Sequence, residues 1–103
     1  MEIQKVEEYE QLSDEELLEL RHKGREGLED YLIDKYKGMV LKKAHAMYLM
    51  GGEPEDLIQE GMIGLFKAVR GYRPDKNASF STFANLCVER QMYKAIEISG
   101  RQK

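Results

Sequence analysis

The sequence predicts an all-α domain, a compact bundle of about four helices, and three observations carry that prediction. Apolar residues recur every three or four positions in several separate stretches, which is the spacing of a helix face. Nowhere do apolar and polar residues alternate for long enough to argue for a strand. The apolar stretches are bounded by residue types that start or stop helices. At 103 residues the chain is one domain's worth, large enough to bury a single modest core without disulfides or metals. The expected organisation is an acidic tail and short helix over 1–24, two long helices over 25–70, and a loop with a last helix over 71–100.

The first helix opens at Ser13. Ser13 and Glu16 form the S-x-x-E pattern in which two side chains satisfy two unpaired amides at a helix start. Asp14, Glu15 and Glu16 stand where the helix dipole favours negative charge. Leu17, Leu18 and Leu20 supply the apolar side, and Gly24 is the expected stop. Met1 to Gln11, with four glutamates, reads as a loose tail or a partly helical one.

The second helix is expected from Arg25 to Leu49, with Leu28, Leu32, Tyr36, Met39, Val40, Ala44 and Met47 on one side and Gly51-Gly52 as its stop. The third starts near Glu53-Pro54, because proline suits the first helical position. It runs to about Arg70 over a core of Leu57, Ile58, Leu65, Ala68 and Val69. Gly61 and Gly64 lie inside it and each cost about 0.5–1 kcal/mol relative to alanine. The usual reason to accept that cost is the close approach of another helix. A glycine-loop RNA-binding module would also use such a pair, but it needs β-strands. A loop follows from Gly71 to Ser79, and the fourth helix runs from Ser81 to Ile98. Its stripe is Ala84, Val88, Met92, Ala95 and Ile96, and Gly100 is the expected stop.

Composition narrows the function. One cysteine, Cys87, excludes an internal disulfide and fits a reducing, cytoplasmic setting. No apolar run approaches the ~20 residues of a membrane span. His22 and His45 stand apart from any metal-ligand spacing, so no metal and no cofactor are expected. No phosphate-binding glycine loop or nucleophile motif is present, and an enzyme has no positive support. The net charge of −3 argues against nucleic acid until it is resolved along the chain. Through Glu60 the balance is −8, and from Gly61 onward it is +5. An acidic front and a basic back suit two different partners.

The fourth helix carries a second face beside its core stripe. Phe83, Leu86, Cys87, Arg90, Tyr93 and Lys94 follow helical spacing, and the preceding loop adds Tyr72, Arg73, Lys76 and Phe80. Aromatic rings stack on unpaired bases while lysine and arginine neutralise phosphates. The alternative for the same residues is that Phe80 and Phe83 fill the core and the cations form a solvated face. In the third helix Asp56, Gln59, Glu60 and Ile63 make a polar stripe, with Met62 and Phe66 close by. The helix is therefore apolar over more of its circumference than one core needs, which points to a partner.

The run from Asp56 to Val69, DLIQEGMIGLFKAV, closely resembles region 2 of bacterial RNA polymerase sigma factors. The match continues without a gap through Phe80-Ser81-Thr82-Phe83-Ala84 to Ile96. Arg25 to Leu49 is similar to the earlier part of that region, and Ser13 to Lys23 to the short helix before it. DLIQEGMIGLFKA, ERQ and the terminal GRQK look most like the sporulation and stationary-phase sigma-H type.

The resemblance implies a compact helical domain that docks on the clamp helices of the polymerase β′ subunit. By position, the docking residues are Asp56, Gln59, Glu60, Met62, Ile63 and Phe66. Met62 stands where housekeeping members carry a polar residue. The resemblance further implies melting of the promoter −10 element, with an adenine of the non-template strand flipped into a pocket matching Tyr72, Lys76 and Phe83. Flipping costs a few kcal/mol, and an aromatic stack returns roughly 1–3 kcal/mol. No bond is made or broken. Promoter choice falls to Arg90 and Tyr93, with Arg90 able to pair two donors with guanine. Asn85 and Lys94 add contacts, and Arg73, Phe80, Thr82, Leu86 and Cys87 complete the implied DNA face.

The chain departs from the housekeeping pattern. The paired tryptophans that wedge open the duplex correspond to Leu86 and Cys87, and the −10 loop carries Ala78 where an aromatic is usual. A weaker wedge implies an alternative sigma factor with stringent promoter demands. The chain shows no match to the family's −35-reading, β-flap-binding domain, so region 2 with its upstream helix is expected. Anti-sigma factors are a further class of partner that the family brings with it. The competing function is a helical protein-interaction module that keeps the fold without sequence-specific DNA binding. A helix-turn-helix reader is disfavoured, because the loop between Gly71 and Ser79 is too long for its tight turn.

Overall fold

Start and stop signals in the chain set four helices, and the computed structural model places them as follows. It describes residues 7–24, 26–51, 53–75 and 78–101, with side chains as far as Ile98. Helix α1 spans Asp14–His22, α2 Leu28–Met47, α3 Pro54–Gly71 and α4 Phe80–Arg101. A 3-10 turn, Tyr48–Met50, extends α2, and a helical turn at 7–10 precedes α1. No strand occurs among the described residues, and no helix there is long and apolar enough to cross a membrane.

The local signals account for most boundaries. The Glu16 amide donates to the Ser13 hydroxyl at 3.1 Å, and the Ser13 amide donates to the Glu16 carboxylate at 3.0 Å. This reciprocal pair caps α1. It also holds the Glu16 carboxyl below the usual carboxylate range. Gly24 takes the left-handed backbone at φ +94° and closes α1. Helix α2 starts at Leu28 rather than Arg25, because Gly27 at φ +88° cannot be part of it. Gly51 at φ +110° ends the 3-10 turn. Pro54 opens α3 and Tyr72 leaves it in extended backbone.

Two expectations are corrected here. Gly100 does not stop α4, which runs through Arg101. A glycine stops a helix by turning left-handed, and Gly100 keeps helical backbone. At the front of the chain the partly helical alternative holds over 7–10, and the loose tail does not. Tyr9 is buried, with its ring edge-on to Tyr31 at 5.3 Å between centroids. Residues 1–6 lie outside the described part, as do Arg25, Gly52, Lys76 and Asn77.

The core is where α2, α3 and α4 meet. Leu57, Leu65, Ala68 and Val69 of α3 face Ala84, Val88 and Met92 of α4, with Val40 and Ala44 of α2 behind them. Gly61 and Gly64 set the spacing. A methyl group at Gly64 would lie 2.8 Å from the Cys87 carbonyl oxygen and 2.9 Å from the Val88 Cα. Those atoms are backbone and have no rotamer to move to. At Gly61 the nearest atoms are side-chain tips, Met92 Cε at 2.4 Å and Val40 Cγ1 at 2.7 Å.

Helix α1 is pinned to this core from outside. Leu17 and Leu18 are fully buried. The Tyr36 hydroxyl donates to the Asp14 carboxylate, which also pairs with Lys35 at 2.6 Å. Burial and that bond push the Tyr36 hydroxyl well above its ordinary pKa. Glu29 receives Arg21 of α1 and Arg70 of α3, each at 3.2 Å. Such surface pairs are worth about 0–1 kcal/mol each, so the leucines dominate the docking of α1.

The helical glycines make a paired prediction. Gly64→Ala should destabilise the domain by about 1–3 kcal/mol, the usual cost of overpacking. Gly38→Ala in α2 meets nothing within 4 Å and should stabilise it by about 0.5–1 kcal/mol. Urea melts of both variants check the two signs.

Candidate functional site

Each helical position on α4 is fixed by the side it presents to α3 and α2. Phe80, Ala84, Val88 and Met92 point inward and are fully buried. The opposite side therefore carries Thr82, Leu86, Arg90, Tyr93 and Lys94, all exposed. Leu86 and Tyr93 are 42% and 49% exposed, large apolar surfaces that the core leaves uncovered. On one flank Asn85 is half-buried, and its amide donates to the Ser81 carbonyl at 2.8 Å. On the other flank Phe83 and Cys87 are half-buried toward α3.

The aromatic loop residues divide between these roles. Tyr72 and Phe80 are buried, at 2% and 0% exposure, so neither ring offers a free face to a base. This corrects their place on the DNA surface. Their rings pack edge to face at 5.5 Å, and Phe80 meets Tyr36 at 5.4 Å. The Tyr72 hydroxyl donates to the Ala78 carbonyl at 2.7 Å, which ties the two ends of the loop together. Burial raises the Tyr72 hydroxyl pKa, and the Glu15 charge adds to that. Phe83 rests on Tyr72 at 5.6 Å and is the one ring of the three with open surface. The α4 start is capped by Ser79, whose hydroxyl accepts the Thr82 amide at 3.2 Å. Arg73 is exposed and lies 3.9 Å from Asp75. Lys76, expected in the base pocket, falls outside the described residues.

Cys87 behaves as an ordinary half-buried thiol. Burial raises its pKa, and the nearby Arg90 and Lys67 charges only oppose that rise. It is not poised as a thiolate.

The α3 stripe is also largely where helical spacing puts it. Asp56 and Gln59 are exposed, and Ile63 and Phe66 are 43% and 39% exposed. The Arg70 guanidinium lies 5.7 Å from the Phe66 ring centre, a cation–π contact. Met62 is half-buried and packs on the core, so it is less available than its neighbours. Glu60 is half-buried and engaged, accepting from the Gln91 amide at 2.7 Å.

That last bond belongs to a connection that spacing could not reveal. The Gln91 carbonyl oxygen accepts from Lys67 at 3.2 Å while its amide donates to Glu60. Gln91 of α4 thus bridges an acid and a base of α3. On the other side Lys43 of α2 pairs with Glu89 of α4. No sequence signal joins residues so far apart in the chain.

Comparison with known proteins gives the family of the chain. Residues 32–102 match the Sigma-70 region 2 family. Over 93 residues the chain is 48% identical to the RNA polymerase sigma-H factor of Bacillus licheniformis, covering 90% of this chain and 42% of that protein. Over 97 residues it is 46% identical to the RNA polymerase sigma-H factor of Bacillus subtilis, covering 94% of this chain and 44% of that protein. The RNA polymerase sigma factor FliA of Pseudomonas aeruginosa is 39% identical over 69 residues, 62% of this chain and 27% of that protein. The chain thus spans less than half the length of the sigma-H factors it matches. The match over residues 32–102 and the identity to two sigma-H factors lead to one conclusion: the chain belongs to the Sigma-70 region 2 family and is sigma-H-like.

Proposed function

We propose that this chain is the part of a sigma factor that recognises and melts the promoter −10 element while docked on RNA polymerase. The observation that carries the reading is the pairing of two outward faces on one rigid helix pair. Helix α3 presents acid, amide and apolar groups, and α4 presents cations and aromatics.

For α3, the partner is the β′ clamp helices. Asp56 and Gln59 supply exposed polar contacts, and Ile63 and Phe66 supply apolar area that has no cover within the domain. Glu60 contributes through a carboxylate already oriented by Gln91. An exposed acidic and apolar helix face suits a basic, partly apolar helical partner.

For α4 and its loop, the partner is the non-template strand of the −10 element. Phe83 provides the stacking surface for a flipped base, and Tyr72 and Phe80 form the rigid wall behind it. Lys76 supplies a cation of the same loop. Arg90 and Tyr93 face outward, where they read the edges of bases that remain paired, with Lys94 beside them. Leu86 and Cys87 stand in for a wedge, with Leu86 the more exposed of the two. The free energy for strand separation comes from stacking and phosphate neutralisation, and no covalent step is involved.

The DNA half is tested by anisotropy with a single-stranded −10 non-template oligonucleotide and the chain bound to core polymerase. Phe83→Ala and Phe83→Leu should each weaken binding by about 1–3 kcal/mol, since both remove the ring. The leucine variant keeps bulk against Tyr72 and guards against misfolding. Wild-type affinity in the leucine variant would remove Phe83 from the pocket. Binding with no preference for oligonucleotide sequence would favour the interaction-module alternative.

The docking half is tested with an isolated β′ clamp-helix fragment. Gln59→Ala and Glu60→Lys should reduce affinity, while Glu60→Gln should keep the Gln91 bond and the fold yet lose the charge contribution. Unchanged binding across all three would place the contact elsewhere.

A further inference from the structure

Tyr36 is a half-buried residue of α2 that belongs to neither outward face, yet it joins α1 to α4. Its hydroxyl donates to the Asp14 carboxylate of α1. Ser81, in the first turn of α4, hydrogen-bonds the same hydroxyl. Its ring meets Phe80, the first residue of α4, edge to face at 5.4 Å between centroids. The Lys35 ammonium lies 5.8 Å from the ring centre and pairs with Asp14 as well.

These contacts bear on how α4 begins. The first turn of a helix has amides without intrahelical acceptors and is held less firmly than its middle. Here Ser79 takes the Thr82 amide, and Tyr36 meets the turn through both Phe80 and Ser81. Phe83 stands three residues after Phe80, one turn along on nearly the same side. The rings also connect in space. Phe80 packs on Tyr72 at 5.5 Å, and Tyr72 on Phe83 at 5.6 Å. Phe83 is thus reached from Tyr36 by two routes, along the first turn and through the rings, and both run through Phe80. Phe80 is fully buried, so a dense interior leaves it no room to move independently.

Packing alone does not call for the hydroxyl. A phenylalanine at position 36 would fill the same space and offer Phe80 the same edge. A buried hydroxyl is costly unless it is bonded, so its use lies in the bond. Tied to Asp14, the ring has a fixed height and tilt beneath Phe80. Edge-to-face contacts depend on tilt, so the orientation passes from ring to ring.

We propose that Tyr36 is a positioning residue for the base pocket: anchored by Asp14, it sets the first turn of α4 and, through Phe80, the attitude of the Phe83 ring toward a flipped base. This rests on the promoter reading given above. It gives α1 and α2, which carry neither outward face, a part in binding the −10 strand.

The experiment uses the chain bound to core polymerase and two single-stranded probes. One is the −10 non-template oligonucleotide, and the other is the same strand made abasic at the flipped adenine. Tyr36→Phe keeps the ring on Phe80 and removes only the hydroxyl. It should weaken binding to the intact strand severalfold, while the abasic strand and the β′ clamp-helix fragment bind as they do to wild type. A merely structural loss would lower all three. Asp14→Ala should repeat the effect, and Asp14→Asn, which keeps an acceptor for the hydroxyl, should restore binding. In a Phe83→Leu background Tyr36→Phe should add nothing, because its effect runs through that ring. A full wild-type preference for the intact strand in Tyr36→Phe would overturn the proposal, and so would an equal loss on both strands. Failure of the promoter reading looks different: the wild-type chain itself would bind both strands alike, which would sink that reading and this proposal with it.

Discussion

The approach of α4 to α3 at Gly64 is the constraint on which the rest of the structure depends. Backbone of Cys87 and Val88 occupies the space that any side chain at position 64 would need. With side chains absent from that crossing, the two helices close to backbone contact, and everything else is built around the crossing. Val88 and Met92 can then reach Gly61, where Val40 of α2 completes the triple contact. Interiors are packed too densely to absorb a shift there. The outward faces of α3 and α4 consequently hold a fixed relation, although each would address a different partner.

Each of the two helices carries both signs of charge, with Lys67 and Arg70 beside the acids of α3 and Glu89 and Glu97 beside the cations of α4. A total of −3 describes neither face. The acids at Asp56 and Glu60 stand on α3, while Arg90 and Lys94 stand on α4. Where the two surfaces come close, Gln91 separates them, holding Glu60 with its amide and Lys67 with its carbonyl oxygen. A neutral residue with both a donor and an acceptor is suited to that boundary. Lys43 and Glu89 do the equivalent work on the α2 side. Helix α1 adds its acids near the middle of α2, where Asp14 holds Tyr36 and Tyr36 meets Phe80. The aromatic wall behind Phe83 is thus braced by the upstream helix.

Local signals were legible in the sequence and tertiary ones were not. The Ser13–Glu16 cap, the stops at Gly24 and Gly51, and the α3 start at Pro54 depend on neighbours within a turn. Gly61 and Gly64 were legible because a costly residue in a helix needs a reason, and the reason is the crossing. Tyr72 and Phe80 were ambiguous for a physical cause. An aromatic beside cations in a loop fits a base-stacking surface or a core plug equally well, and only the packed structure shows them buried. Tyr9 sits in so acidic a stretch that nothing local marks it as core. Gln91 and Lys43 take their roles from partners on other helices, and Gly100 misled because glycine ends a helix only when its backbone turns left-handed.

The central claim is that α3 and α4 act as one rigid unit carrying both faces. Native-state hydrogen exchange with increasing urea tests it most directly. The account predicts that core amides of α3, near 61–69, and of α4, near 84–92, open with the same free energy and the same urea dependence, as one cooperative unit. Exchange of the α4 amides at a markedly lower free energy, by a urea-independent local opening that leaves α3 protected, would contradict it.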